Sequence, residues 1–321
     1  MPPAGSIEVV VDRVRDEAQG IRSYDLLAAD GGLLPPFDAG AHVDVELGGS
    51  LVRSYSLIGR TGDRSRYRIA VMLDPRSRGG STAMHRTVGP GTRLRISGPR
   101  NNFPLQEDAP LSVLIAGGIG ITPLWCMAQR LEELGRPWVL HYACRSRAMA
   151  AFLPEIEAAC AGGSGRLHLW VDEEQGGRPL DLVPIVRGAP EDAQLYCCGP
   201  APMLAAFRDA APGEWSGRMH MEYFRPAEAA KPTRAFVVEL ARSGVSVEVP
   251  PGCSILDALM MQGIDAPYSC YEGVCGTCET RVISGVPDHR DNLLSDKAKA
   301  EGKTILICCS GSRSERLVLD L

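Results

Sequence analysis

At 321 residues the chain is long enough for two or three domains, and its 45% apolar and 23% charged content is that of a globular protein. The net charge of −5 argues against a nucleic-acid binder, and no run approaches the ~20 apolar residues of a membrane span. The start, Met-Pro-Pro-Ala-Gly-Ser, lacks the basic and apolar segments of a secretory signal, and the eleven cysteines show no disulfide-framework spacing. A reducing, cytoplasmic compartment is therefore expected.

Residues 7–14, 21–28, 42–47, 52–57, 66–72 and 93–97 read as short strands separated by Gly, Pro and Asp turns. That spacing predicts an antiparallel β-barrel over residues 1–108, with one short helix near 81–87. Within 52–57 stands Arg53-Ser54-Tyr55-Ser56. In a strand, residues 53 and 55 share one face, and 54 and 56 the other. On four residues alone, an ordinary barrel strand is the plainer interpretation. Gly79-Gly80-Ser81-Thr82 then precedes the helix. Backbone N–H groups and hydroxyls at a helix start can hold an anion, although a plain helix capped by Ser81 has the same pattern.

Residues 109–225 alternate strand and helix, as a doubly wound α/β nucleotide-binding domain requires. An apolar run over 111–116 ends in Gly117-Gly118-Ile119-Gly120-Ile121-Thr122-Pro123, and helical periodicity follows over 124–134. Strand, glycine turn and helix suit a pyrophosphate near a helix N-terminus. The motif is not G-x-G-x-x-G, however, and no acid ends the next strand, 138–142. That strand leads instead into Arg145-Ser146-Arg147. Helices are expected over 148–161, 180–186 and 202–211, and strands over 166–171 and 194–198. The last strand ends at Cys197-Cys198-Gly199-Pro200, and a strand-like segment at 219–224 carries Glu222. A buried core thiol and a surface carboxylate are the plainer interpretations of Cys197 and Glu222.

Residues 226–233 read as an Ala/Pro linker. Residues 234–321 predict an α+β domain of the β-grasp kind: a hairpin over 235–249, a helix over 254–262 capped by Ser254, and strands over 279–284, 304–307 and 316–320. Inside it, Cys270, Cys275 and Cys278 are separated by four and two residues, and Cys308 follows after 29 more. This is plant-type [2Fe–2S] spacing. A zinc ribbon would need a second C-x2-C knuckle, which is absent. Gly273 and Gly276 allow the loop to curl. Cys309 adjoins Cys308. The strand over 304–307 delivers them, and neighbours in a strand face opposite ways, so Cys308 faces the irons and Cys309 is a packed free thiol beside it. The domain carries 9 Lys/Arg and 12 Asp/Glu, a net of −3, with Glu272 and Glu279 beside the cysteines. An acidic rim of this kind could steer a basic partner.

Arg-x-Tyr-Ser, Gly-Gly-x-Gly-x-Thr-Pro and Cys-Gly-Pro resemble motifs of the ferredoxin–NADP reductase superfamily. Their order, followed by a C-terminal ferredoxin and the segment Asp288-His289-Arg290-Asp291, resembles the phthalate dioxygenase reductase family, which includes vanillate O-demethylase reductases. The resemblance implies a multi-domain protein holding FMN, NADH and a [2Fe–2S] cluster. Arg53 would meet a flavin phosphate, Tyr55 would pack on the ring, Ser56 would approach flavin N5, and Ser54 completes the motif. Gly79, Gly80, Ser81 and Thr82 would cradle the phosphate. No later aromatic segment is evident to hold an adenine, which favours FMN. Gly117, Gly118, Gly120, Thr122 and Pro123 would hold the nucleotide, with Arg145 and Ser146 near its ribose. Arg145 and Arg147 could form a 2′-phosphate clamp, but the resemblance favours NADH. Cys198, with Gly199 and Pro200, would face nicotinamide C4, and Glu222 would lie near the flavin. Cys270, Cys275, Cys278 and Cys308 would ligate iron. The implied activity is NADH-dependent electron delivery, by a monomer, to a Rieske-type aromatic oxygenase or O-demethylase. A reductase for a cytochrome P450 and a non-turnover electron carrier or redox sensor are the alternatives.

Overall fold

The structure is a computed structural model and describes residues 6–48, 51–75, 79–210, 217–224, 234–268, 273, 276–291 and 293–321. Cys270, Glu272, Cys275 and the 226–233 linker lie outside the described residues. The chain divides into two compact units, Met1–Glu222 and Tyr223–Leu321.

The first unit begins with β1 (Ile7–Ala18), β2 (Ile21–Ala28), β3 (His42–Glu46), β4 (Val52–Ile58), β5 (Tyr67–Met72) and β6 (Arg93–Ile96). These close into an antiparallel barrel in the order β1-β2-β5-β4-β3-β6. Alternating apolar residues fill its interior, among them Val9, Val11, Tyr24, Leu26, Val43, Val45, Leu57 and Ile69, all essentially inaccessible. β1 runs four residues past its clean alternation. Register shifts at Val11/Arg13 and Asp16/Ala18 let pairing continue where the apolar pattern breaks. The short helix α1 spans Gly80–Thr87. Tyr24 Oη donates to the Met84 carbonyl (3.0 Å) and Arg22 to the His85 carbonyl (3.0 Å), so the barrel holds the helix by its last turn.

The same unit contains a wholly parallel sheet of β7 (Ser112–Gly117), β8 (Trp138–Cys144), β9 (Gly165–Val171), β10 (Gln194–Cys198) and β11 (Met219–Glu222). Its order is β11-β10-β7-β8-β9. Helix α2 (Ile121–Glu133) packs on β7, β8 and β10, α3 (Leu153–Gly162) on β9, and α5 (Ala201–Ala210) on β10 with α4 (Val183–Gly188) against it. The helix expected over 148–161 starts later. A 3-10 turn at Arg147–Met149 comes first, and Phe152 adopts φ 60, which breaks continuity until Pro154 opens α3. The helix expected from 180 starts at Val183, where the Asp181 side chain accepts the Val183 N–H.

Asp25, fully buried in β2, is held by Arg15 (2.8 Å) and Arg68 (2.9 Å). Burial pushes its carboxyl up, but the two guanidiniums outweigh that and hold it below the usual range. Arg68 also reaches Glu155 of α3 (3.6 Å), so this buried charge ties the barrel to the parallel-sheet lobe.

The second unit is a mixed sheet of β12 (Phe236–Leu240), β13 (Val245–Val249), β14 (Glu279–Ser284), β16 (Thr304–Leu306) and β18 (Arg316–Leu319), ordered β13-β12-β18-β14-β16. Helix α6 (Ile255–Met261) covers it and is capped by Ser254 in a reciprocal box with Asp257. Three elements had no sequence signal. The pair β15 (Pro287–Asp288) and β17 (Gly311–Ser312) is two residues long, and α7 (Asp296–Glu301) is too polar to show periodicity. β16 ends at Leu306, one residue earlier than the sequence suggested. Residues 307–309 form a turn in which the Cys309 N–H donates to the Leu306 carbonyl (3.4 Å). The strand alternation invoked for Cys308 and Cys309 therefore does not apply to them. Among the described residues, no helix is long and apolar enough to cross a membrane.

Candidate functional site

In the sheet order, β7 lies between β8 and β10, so the chain reverses direction across the sheet there. The carboxyl ends of β7 and β10 form the crevice where open parallel sheets bind ligands. The register places Cys198 beside Ala116 on one side and Glu222 on the other. Cys198 is inaccessible, with Sγ 4.0 Å from Glu222 Oε2. Burial raises the Cys198 thiol well above its usual value, and burial raises the Glu222 carboxyl to about 8. Both shifts favour the protonated form of their group. The site can thus present an uncharged thiol and an acid that holds a proton.

The glycine turn fits against this point. Gly118 takes φ 54, and the Thr122 hydroxyl donates to the Ile119 carbonyl (3.0 Å), closing the turn into α2 with Pro123 in its first turn. The other glycines have a steric reason that the sequence did not reveal. A Cβ on Gly120 would stand 2.1 Å from the Cys198 carbonyl oxygen, and one on Gly117 2.6 Å from Pro200. A Cβ on Gly199 would meet Met203 Sδ at 2.7 Å. The glycines let two loops pack backbone to backbone, independently of any pyrophosphate.

On the barrel, β4 carries Arg53 and Tyr55 on one face and Ser54 and Ser56 on the other. Arg53 lies across the start of α1, where a Cβ on Gly80 would be 2.6 Å from Arg53 Cγ and 2.8 Å from its Nε. Gly79 caps that helix with φ 98, a conformation Ser81 was not needed for. Ser81 stands inside the helix, and its hydroxyl accepts the Asp74 N–H (3.1 Å). Thr82 follows in the same first turn. A guanidinium and the N–H groups of a helix start thus converge, a donor set suited to a phosphate. Ser54 is not among them. Its hydroxyl donates to Asp44 (2.6 Å), which also pairs with Arg100. The Ser56 hydroxyl is buried with no hydrogen-bond partner among the described residues. An orphaned buried hydroxyl beside Tyr55 fits a site completed by a flavin.

Arg145 and Ser146 follow the carboxyl end of β8. Arg147 forks onto Glu174 (Nε–Oε1 2.5 Å and Nη2–Oε2 3.2 Å) from the end of β9. The acidic residues absent from the tip of β8 thus stand one strand further on.

In the second unit, Cys278 and Cys308 are both buried, 3% and 5% exposed, in one core with Ile307 and Leu256. The Cys278 carbonyl accepts the Ile307 N–H (3.4 Å), and β14 pairs with β16, so the two cysteines emerge from adjacent strand ends. Gly273 and Gly276 both adopt positive φ, 66 and 76, as a loop curling around a cluster requires. Cys309 is less buried and faces the loop: a Cβ on Gly273 would lie 2.5 Å from its Sγ. Cys270 and Cys275 are outside the described residues. Two buried thiols at the base of a glycine loop fit a thiolate-bound cluster.

Residues 238–312 match the family described as 2Fe-2S iron-sulfur cluster binding domain, and 114–209 match oxidoreductase NAD-binding domain. These define an iron–sulfur oxidoreductase linked to a nicotinamide nucleotide. The chain is 51% identical to phenoxybenzoate dioxygenase subunit beta of Ectopseudomonas oleovorans, covering 95% of this chain and 94% of that one. It is 50% identical to tetrachlorobenzoquinone reductase of Sphingobium chlorophenolicum, covering 99% of each. Phthalate dioxygenase reductase, described as a modular structure for electron transfer from pyridine nucleotides to [2Fe–2S], superposes with TM-score 0.74 at 35% identity, over 99% of this chain and 98% of that one. An intact type IV self-sufficient cytochrome P450 monooxygenase superposes with TM-score 0.86 at 36% identity, and there this chain spans only 41% of the structure. The chain belongs to the phthalate dioxygenase reductase family.

Proposed function

We propose that this protein is the NADH-dependent reductase of an oxygenase system, and that its acceptor is a Rieske-type terminal oxygenase or O-demethylase acting on an aromatic compound. Its cofactors are FMN, NADH and a [2Fe–2S] cluster. The flavin, when bound, supplies the exchange between a two-electron hydride donor and a one-electron cluster. The protein's part is to bind, orient and exclude water. Arg53 and the start of α1 hold the phosphate, Tyr55 backs the ring and the Ser56 hydroxyl offers a hydrogen bond at the reacting edge. The glycine turn at 117–120 seats the nucleotide, and Cys198 with Gly199 and Pro200 sets the nicotinamide depth. Glu222 holds a proton beside them. Cys270, Cys275, Cys278 and Cys308 hold the cluster. The segments 1–108, 109–225, 226–233 and 234–321 serve as flavin domain, nucleotide domain, linker and ferredoxin domain of a cytoplasmic monomer.

The observation that carries this proposal is the orphaned Ser56 hydroxyl and the Cys198–Glu222 pair within one compact unit, with a ferredoxin unit on the same chain. The test is anaerobic reduction by NADH. Heat-released flavin should have the mass of FMN, its absorbance should bleach on NADH addition, and the reduced-cluster EPR signal should follow. Added oxygenase should then reoxidise the cluster. Cluster reduction without steady-state turnover on ferricyanide would favour the carrier alternative. The relationship to tetrachlorobenzoquinone reductase supports a second reading, direct reduction of a halogenated quinone. Fast quinone turnover, with none transferred to an oxygenase or a P450, would establish that reading instead.

A further inference from the structure

The segment Asp288-His289-Arg290-Asp291 is fastened to the chain that follows Cys308. Asp288 pairs with Gly311 across β15 and β17, and the Arg290 N–H donates to Ser310 Oγ (3.0 Å). Asp291, 3% exposed, closes the segment. Its Oδ2 accepts the N–H groups of Leu293 (3.2 Å) and Leu294 (2.8 Å), and Lys299 Nζ donates to its carbonyl (2.6 Å). On the other side of Asp291 lies the cysteine loop. A Cβ on Gly273 would stand 3.2 Å from both Cα and Cβ of Asp291 and 2.5 Å from Cys309 Sγ, so the loop backbone is wedged between the two.

The charge of Asp291 is incompletely answered. Lys299 Nζ is 3.7 Å from Oδ2, and the buried His289 ring has Nδ1 3.7 Å from Oδ1. Neither ring nitrogen of His289 nor Oδ1 of Asp291 has a hydrogen-bond partner among the described residues. Burial lowers the pKa of His289 more than Asp291 raises it, so the ring supplies no standing positive charge. Arg290 and Arg313 are both committed to Asp288. A buried oxygen without a donor is costly, and such a group calls for a functional reason.

We propose that Asp291 is a positioning residue for the iron–sulfur cluster: it holds the loop at Gly273 in place and keeps a negative charge behind it that lowers the cluster's reduction potential. Net charge around a cluster is one of the factors that set its potential, because an arriving electron is repelled by a fixed anion. A lower potential makes the reduced cluster a stronger donor to its acceptor. The proposal rests on the cluster site described above and adds a residue outside its four ligands.

The test uses the full-length holoprotein and a potentiometric titration of the reduced-cluster EPR signal. Asp291→Asn keeps an oxygen for Leu293 and Leu294 but removes the charge. Its cluster content and melting temperature should match wild type. The ratio of reduced to oxidised cluster at the wild-type midpoint should rise about tenfold, a shift of ~59 mV for one electron. Lys299→Met removes the positive charge instead and should move the ratio the other way. Asp291→Ala, which loses both the charge and the acceptor, should hold less cluster than Asp291→Asn. A ratio within twofold of wild type in Asp291→Asn, or shifts of the same sign in Asp291→Asn and Lys299→Met, would overturn the role of the charge. Equal cluster content in Asp291→Ala and Asp291→Asn would overturn the positioning. If Asp291→Asn fails to fold, the sign of the shift in Lys299→Met decides by itself. A wild-type protein with no [2Fe–2S] EPR signal on reduction would instead remove the cluster site, and this inference with it.

Discussion

Cys198 and Glu222 stand side by side on adjacent parallel strands, Sγ 4.0 Å from Oε2, at the carboxyl edge of the sheet. They are 24 residues apart in sequence, and neither has a local partner that would announce the other. Their proximity follows from register alone: β10 and β11 pair Cys198 with Glu222, and the next strand over, β7, brings the glycine turn to the same place.

Cys198→Ala should slow hydride arrival while leaving both cofactors bound. A thiol set against the nicotinamide edge would contribute about 1.4–2.8 kcal/mol to the barrier, a ten- to hundredfold loss in rate. Stopped-flow flavin reduction by NADH is the readout, with cluster absorbance and flavin content as controls. An unchanged rate removes Cys198 from the reaction.

Glu222 makes stability fall as pH rises. Burial raises its carboxyl from 4.5 to about 8, so between those values the folded chain holds a proton that the unfolded chain releases. Folding is therefore unopposed below pH ~4.5 and progressively penalised up to pH ~8. The strand is only half-buried, so the penalty is discounted to about 1–2 kcal/mol. Urea melts at pH 5 and pH 8 should show a larger loss for wild type than for Glu222→Gln. Equal losses would mean that Glu222 titrates normally.

Ser56 and Ser54 should respond in opposite ways to the same change. The Ser56 hydroxyl has no partner among the described residues, so Ser56→Ala orphans nothing and should leave Tm unchanged while slowing flavin reduction. Ser54→Ala takes a donor from Asp44 and should lower stability by about 1–2 kcal/mol with little effect on the flavin. Flavin reduction that slows more in Ser54→Ala than in Ser56→Ala would reverse the assignment.

Gly120→Ala should be one of the more damaging small substitutions in the unit. Its Cβ meets a backbone oxygen at 2.1 Å, and overpacking of this kind costs about 1–3 kcal/mol. The shift it forces on Cys198 should also raise KM for NADH. Gly162→Ala, with open space around it at the end of α3, should be neutral or stabilising. Similar melting temperatures for the two variants would show that the loops do not depend on this contact.

Cys308→Ser should lose or strongly perturb the visible absorbance and reduced-state EPR signal, because an alkoxide is a harder ligand for iron. Cys309→Ser should keep both signals. Cys308 shares the buried core with Cys278, whereas Cys309 packs against Gly273. Iron bound by Cys309 in a crystal of the wild type would reverse the assignment.

The sequence by itself determined the element order. Alternation in the barrel strands, the periodicity of α2 and the cap at Ser254 are encoded within a few residues, so they were legible before any fold was known. The cysteine spacing was legible for the same reason, since a loop around a cluster is a local chemical constraint. Only tertiary structure decided the rest. Strand register brought Glu222 to Cys198 and Ser54 to Asp44. Packing between loops, not phosphate approach alone, requires Gly117 and Gly120. The turn at 307–309 replaced a strand because the Leu306 carbonyl accepts the N–H groups of Cys309 and Ser310, a choice made by closure of the chain and not by propensity. Glu174 illustrates the same limit. Its link to Arg147 spans 27 residues, and no local pattern records a pairing that arises only where two strands end side by side.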